Sequence, residues 1–253
     1  MLKGSTKVNV DLGCVIGQIR NGCSLTSIAA GLGIHRITLA AYLGKIGVTK
    51  ESVKFDHDFF EIIDSEDKAY WLGFLYADGN VFDDYQTKVS IKLHERDESH
   101  LLKWQSAIKS CHRLYRIEQN YLASVHYSRK MADDLIRHGC IPNKSLVLKF
   151  PTLPNYLIRH FVRGYFDGDG CINIRKHQKK PQVRVSFLGT EEFLNKIQNI
   201  LGINNKMQLA GDNKLTRQFE VSGNKKAMKI ASWMYENSSV FLDRKKEIYC
   251  AFV

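Results

Sequence analysis

Two stretches of this chain, Trp71–Gly79 (WLGFLYADG) and Val162–Gly170 (VRGYFDGDG), repeat one pattern at an offset of 91 residues. Each is an apolar run with small residues four apart, Gly73 and Ala77 in the first, Gly164 and Gly168 in the second, and each ends on Asp-Gly. Residues four apart share a helix face, and small ones there let two backbones come close. The pattern predicts two helices that pack on each other. It also puts Asp78 and Asp169 in last helical turns, where a carboxylate meets the negative end of the helix dipole, with Gly79 and Gly170 as C-caps. Side by side, such helices bring two carboxylates to one point, and like charges held together favour a bound cation.

The repeat extends beyond the two stretches. After the first, predicted from residues 66–77 as a helix, come strands over 80–82 and 87–94, a helix over 98–110, strands over 112–118 and 121–128, and a helix over 129–138. After the second, predicted over 155–168, come strands over 171–175 and 183–188, a helix over 191–201, strands over 206–210 and 217–222, and a helix over 225–236. Duplication of both motif and element order predicts a pseudo-two-fold protein. Pro151 and Pro154 bracket the boundary between the halves, giving 53–153 and 154–253. Along 87–94, Val89, Ile91 and Leu93 alternate with Lys88, Ser90, Lys92 and His94, so one face packs and the other is wet and basic.

Ahead of both halves, residues 1–52 carry a helix-turn-helix pattern: Ile28, Ala29, Leu32, Leu39 and Leu43 in helical register, and Gly33 able to take positive φ in the turn. Its second helix, predicted over 35–45, presents His35, Arg36, Thr38, Tyr42 and Lys45 outward, suited to phosphates or base edges; a protein-contact module shows the same pattern. Charge favours the nucleic acid. It is +5 over residues 1–50, −2 over 51–150 and +8 over 151–253, a total of +11. No apolar run is long enough to span a bilayer, the amino terminus is unlike a signal peptide, and six cysteines form no zinc-ligand spacing, so an intracellular protein with free thiols is expected.

WLGFLYADG and VRGYFDGDG resemble the LAGLIDADG motif of homing endonucleases, and the resemblance covers residues 60–253. It implies an α+β fold, a duplicated αββαββα unit with saddle-shaped antiparallel sheets, here preceded by the small all-α helix-turn-helix module. The activity implied is a metal-dependent, staggered double-strand cut at a long DNA site, leaving short 3′ ends, in the service of intron or intein mobility. Oxygen donors from two acids suit Mg²⁺, with two or more divalent ions shared between Asp78 and Asp169 and the carbonyls of Ala77 and Gly168 as further ligands. A basic residue near each acid is implied too. Lys144 and Lys245 match, with Lys246 as the alternate to Lys245, although they lie 66 and 76 residues past their acids. His94 is a candidate water-organising group without a counterpart in the second half.

Candidates for DNA contact are Asn80, Lys88, Ser90, Lys92, His94, Asn173, Arg175, Arg184 and Ser186 on strands, Lys176, Lys179 and Lys180 in a loop, and Lys214 and Arg217 beyond it. Tyr76 and Arg163 depart from the motif, and Asp167, two before Asp169, is expected to point away from it as a cap or interface contact. The partner expected is double-stranded DNA, with a monomer, no membrane, and a bacterial or phage-host cytoplasm in preference to an organelle. Two other readings use the same scaffold: a non-cleaving DNA-binding regulator and an intron RNA maturase.

Overall fold

The computed structural model describes residues 10–21, 23–48, 54–83, 87–144, 147–175, 181–210 and 215–252. The chain divides into two compact units, Met1–Asp56 with Ile108–Arg113, and His57–Ala107 with Leu114–Val253.

In the first unit, α1 (Leu12–Arg20), α2 (Leu25–Gly31) and α3 (Arg36–Lys45) start on side-chain caps: Asp11 accepts from the Cys14 amide, Ser24 from Ser27 and His35 from Ile37. His35 is thus the cap of α3 and not its first residue. The apolar register closes into a core of Val15, Ile19, Ile28, Ala29, Leu39 and Leu43. Gly33, at φ +66°, makes the turn from α2 towards α3.

The second unit repeats one element order. The first half runs α4 (Glu66–Asp78), β1 (Gly79–Phe82), β2 (Lys88–His94), α5 (Glu98–Ala107), β3 (Tyr115–Glu118), β4 (Tyr121–Tyr127) and α6 (Arg129–Arg137). The second runs α7 (Asn155–Asp169), β5 (Cys171–Arg175), β6 (Gln182–Thr190), α8 (Glu191–Leu201), β7 (Gln208–Leu209), β8 (Thr216–Ser222), α9 (Asn224–Tyr235) and α10 (Asp243–Cys250). Each half has one antiparallel sheet, ordered β1-β2-β4-β3 and β5-β6-β8-β7. Along β2 the residues Val89, Ile91 and Leu93 are buried and their neighbours half-buried, as period-two alternation requires.

Two expected strands are shorter than the pattern implies, and one helix lies outside it. The strand predicted from residue 112 begins at Tyr115, as an edge strand exposed throughout with a register shift between Arg116 and Glu118. The strand predicted over 206–210 shrinks to Gln208–Leu209. Helix α10 was not foreseen: its eight residues are too few and too charged to show an apolar period.

His100, on α5, lies among Tyr70, Trp71 and Phe74, and hydrogen-bonds the Tyr70 hydroxyl through Nε2 at 3.1 Å. Burial holds its pKa down to about 3, and burial likewise holds His160 down to about 4. In the unfolded chain both imidazoles take up protons near pH 6.5, which the fold refuses, so stability falls as pH drops from 6.5 towards those values. We expect acid to lower the melting temperature over this window and His100→Phe to flatten the fall. A parallel decline in the variant would show that other groups set the acid limit.

Candidate two-carboxylate site

Helices α4 and α7 cross at their small residues. A Cβ on Gly73 would lie 2.0 Å from the Phe161 carbonyl oxygen, and one on Gly164 would lie 1.9 Å from the Tyr70 oxygen, two contacts related by the 91-residue repeat. Lower down, Gly168 faces Ala77, and the next residues are the acids. A Cβ at Gly168 would be 3.5 Å from the Asp78 carboxyl carbon. The dyad of the repeat thus passes between the ends of the two helices, and Asp78 and Asp169 stand on either side of it.

Gly79 and Gly170 are the C-caps expected, in extended and not left-handed backbone, with φ, ψ values of −84°, 150° and −82°, 168°. They are glycines because the chain turns from helix directly into strand over its own last turn. A Cβ on Gly79 would sit 2.6 Å from the Leu75 Cα, and one on Gly170 would sit 2.6 Å from the Phe166 oxygen.

Burial pushes Asp169 up to about 6, with Asp78 adding repulsion and Lys144 and Lys245 opposing it. Burial also raises Asp78, against the pull of Lys245 and Lys144. The two lysines are themselves buried, 6% and 3% exposed. Lys144 donates to the Gly79 carbonyl. Lys245 donates to Phe166 (2.6 Å), Asp167 (2.8 Å) and Gly170 (2.5 Å) carbonyls. The shared partner is the carbonyl of the glycine following each acid, which makes the lysines equivalent despite their unequal spacing in sequence. Each places a positive charge at the negative end of a motif helix and answers the dipole problem posed by the acid. Burial lowers the Lys245 pKa to about 8. Lys246 faces elsewhere, donating to the Tyr235 carbonyl and lying over the Tyr235, Phe241 and Tyr249 rings.

Behind the acids a buried polar network ties the halves together. Asp167 accepts from Tyr70 (2.7 Å), Tyr235 (2.5 Å) and the Leu242 amide (2.8 Å), an interface contact turned away from the acids. Arg163, fully buried, donates to Glu66 (2.6 Å) and to the Met234 and Val240 carbonyls (both 2.9 Å). Tyr76, at the position matching Asp167, donates instead to the His138 carbonyl at 2.6 Å. Tyr76 and Arg163 read as motif departures in sequence, and the partners just named for them are distant along the chain.

The sheet candidates divide. Asn80 and Ser90 are register partners on the outer face, Lys88 lies over the Phe82 ring, and Lys92 pairs with Glu118 at 2.6 Å. His94 caps a short 3-10 turn by accepting from the Arg96 amide at 3.2 Å, and its ring meets Tyr121. In the second half Arg175 and Arg184 both pair with Glu220, at 3.3 and 2.7 Å, and Arg217 pairs with Glu191 at 3.4 Å. Ser186, expected on the open face, is only 3% exposed. Directly opposed in register, Asn173 and Arg184 each keep a buried polar atom, Oδ1 and Nε, without a hydrogen-bond partner among the described residues. Lys176, Lys179, Lys180 and Lys214 lie outside the described residues. In the first unit His35, Arg36, Thr38, Tyr42 and Lys45 are all exposed.

Among the described residues no three His, Cys, Asp or Glu side chains gather as a metal site. No described helix is long and apolar enough to cross a membrane.

Residues 162–250, which include Asp169 and Lys245, match the family model described as LAGLIDADG endonuclease. Among solved structures, the chain is similar to the I-LtrWI LAGLIDADG homing endonuclease bound to target DNA, at TM-score 0.51 and 10% identity, over 78% of this chain and 90% of that one. It is similar to the I-GzeII LAGLIDADG homing endonuclease in complex with its DNA target, at TM-score 0.53 and 10% identity, over 72% and 88%. It also resembles the meganuclease I-SmaMI bound to uncleaveable DNA, at TM-score 0.54 and 8% identity, over 72% and 87%. At such identities the likeness is one of fold. No curated protein matches the sequence.

Proposed function

We propose, from the premise that the chain belongs to the LAGLIDADG endonuclease family, that it is a site-specific homing endonuclease making a staggered double-strand cut in duplex DNA. One observation carries the reading: two acids from separate halves converge on the repeat dyad, each backed by one buried lysine on the carbonyl of the following glycine. A centre doubled about a dyad suits a duplex, whose two strands run in opposite directions. One acid per strand then means one cut per strand.

The donor set fits a hard divalent cation. Both acids are raised, Asp78 by burial and Asp169 by burial and the charge of Asp78, a cost that a cation between them removes. They would hold Mg²⁺ together with the carbonyls of Ala77 and Gly168, with phosphate and water completing the shell. Once bound, the ion supplies charge neutralisation at the phosphate and a lowered pKa for attacking water. Lys144 and Lys245 act through charge: all three N–H donors of Lys245 are engaged by backbone, so it stabilises the acids and the added negative charge of the phosphate without handing over a proton. The partly exposed guanidinium of Arg184, opposite Asn173 in register, supports contact with DNA, whose phosphates and base edges accept from arginine. Arg175 and Arg184 would exchange Glu220 for nucleic acid.

Incubation with a randomised duplex library and Mg²⁺, followed by sequencing of cut ends, tests the reading. One recurring target with offset cuts is expected. Stable binding with no cut ends would make the protein a DNA-binding regulator instead.

The helix-turn-helix module would extend the contacted site. Replacing Arg36, Tyr42 and Lys45 by alanine should shorten the footprint and reduce the slope of log affinity against log salt by about two, one for each cation lost. An unchanged footprint would assign this module to a protein contact.

A further inference from the structure

We infer that Asp97 is a positioning residue for Lys245, acting from one half of the second unit on the other; the inference rests on reading the two acids and two lysines as a cleaving centre. Lys245 lies in the first turn of α10, an eight-residue helix whose N-cap, Leu242, makes no side-chain capping bond. The restraint comes from the first half. Asp97, 7% exposed and immediately before α5, accepts from Arg244 Nε through both oxygens, at 3.1 and 3.2 Å. From α5, Ser99 donates to Asp243 at 3.0 Å, and Lys103 donates to Asp243 at 2.5 Å and to the Phe241 carbonyl at 3.0 Å. Phe241, Asp243 and Arg244, the residues leading into Lys245, are therefore gripped by a single stretch of the opposite half.

The second half has a counterpart. Thr190, immediately before α8 as Asp97 is before α5, donates to the Leu148 carbonyl at 3.1 Å, four residues past Lys144. The residue ahead of each half's second helix thus reaches the lysine-bearing segment of the other half. Among the described residues the two restraints differ in strength: a charged, several-point grip on α10 against a neutral hydrogen bond near Lys144. Loss of Asp97 leaves Arg244 without its partner and loosens the first turn of α10, where Ser99 and Lys103 still hold Asp243, while the Lys144 side keeps its own contact. Asp97 therefore governs one of the two strand cuts.

The test uses the full chain, Mg²⁺ and the duplex target recovered from the library, with each strand labelled separately. Asp97→Ala should slow one strand, the strand slowed by Lys245→Met, by roughly 10- to 100-fold and leave the other unchanged. Asp97→Glu should restore most of the rate. Equal slowing of both strands, no slowing, or slowing of the strand that depends on Lys144 would overturn the assignment. Because truncating a buried carboxylate can unfold a protein, Lys103→Met, at a side chain 34% exposed, provides a second variant with the same expected strand bias. Amide hydrogen exchange supplies a readout that needs no cutting: exchange over residues 242–250 should rise in Asp97→Ala while residues 140–144 are unchanged. A wild-type protein that cuts neither strand would reject the cleaving reading, and unchanged exchange in α10 would separately reject the positioning role.

Discussion

Asp169→Asn should end double-strand cutting and at the same time raise the melting temperature. Its carboxyl is pushed up to about 6 from the usual 3.8, by burial first and by Asp78 second. The sign follows from linkage. A folded pKa above the unfolded one means the fold favours the protonated form, so the charged form present at pH 7 costs stability, and that cost disappears as pH falls from 6 towards 4. Asparagine removes the charge at every pH and should add about 1–3 kcal/mol at neutral pH in the metal-free protein. Cutting should fall by roughly three orders of magnitude or more, because a hard-cation site loses one of its two anionic donors. DNA affinity should change little, since a carboxylate facing phosphate does not attract it. Asp78→Asn should behave in the same way. Undiminished cutting by either variant would remove the metal assignment, and a lowered melting temperature would mean the acid is a structural partner.

Gly164→Leu should prevent α4 and α7 from meeting. Even a methyl group there would sit 1.9 Å from the Tyr70 carbonyl oxygen and 2.9 Å from the Phe74 amide nitrogen, both backbone atoms that no rotamer change can move. The helices would have to separate, opening the interface that buries Tyr70, Phe74, Phe161 and Tyr165. A loss above about 3 kcal/mol is expected, beyond ordinary overpacking because the obstacle is backbone. Gly73→Leu should be equally severe, since its Cβ would lie 2.0 Å from the Phe161 oxygen. The comparison is Gly17→Ala in α1, where a Cβ meets nothing within 4 Å; it should be neutral or stabilising by about 0.5–1 kcal/mol. Chemical denaturation reads all three, and a Gly164 variant with wild-type stability would refute the close helix crossing.

The pairing of the halves is also what makes the lysines intelligible. In sequence Lys144 and Lys245 sit at unequal distances from their acids, and Lys246 competes with Lys245. In space each reaches the glycine carbonyl after its acid, and Lys246 turns to an aromatic cluster. Linear spacing cannot reveal this, because the connecting segments differ in length while the helix ends they return to are equivalent.

By itself the sequence determined what depends on near neighbours: the two motif helices with their small faces, the alternating strand β2, the apolar register of the helix-turn-helix, and the placing of Asp78 and Asp169 at equivalent helix ends, 91 residues apart. These follow from periods of 3.6 and 2, which act over a few residues. Only the tertiary structure decided that Gly79 and Gly170 serve close packing and not a left-handed cap, that Ser186 is covered, that Asp167 faces Tyr70 and Tyr235, and that Asp97 grips Arg244 from the opposite half. Each of these is a contact between residues far apart in the chain or between separate elements. What brings them together is the burial of one helix pair against another, and no local period records that. The opening pair of motifs thus marked two equivalent helix ends, and packing across the dyad set which side chains surround them.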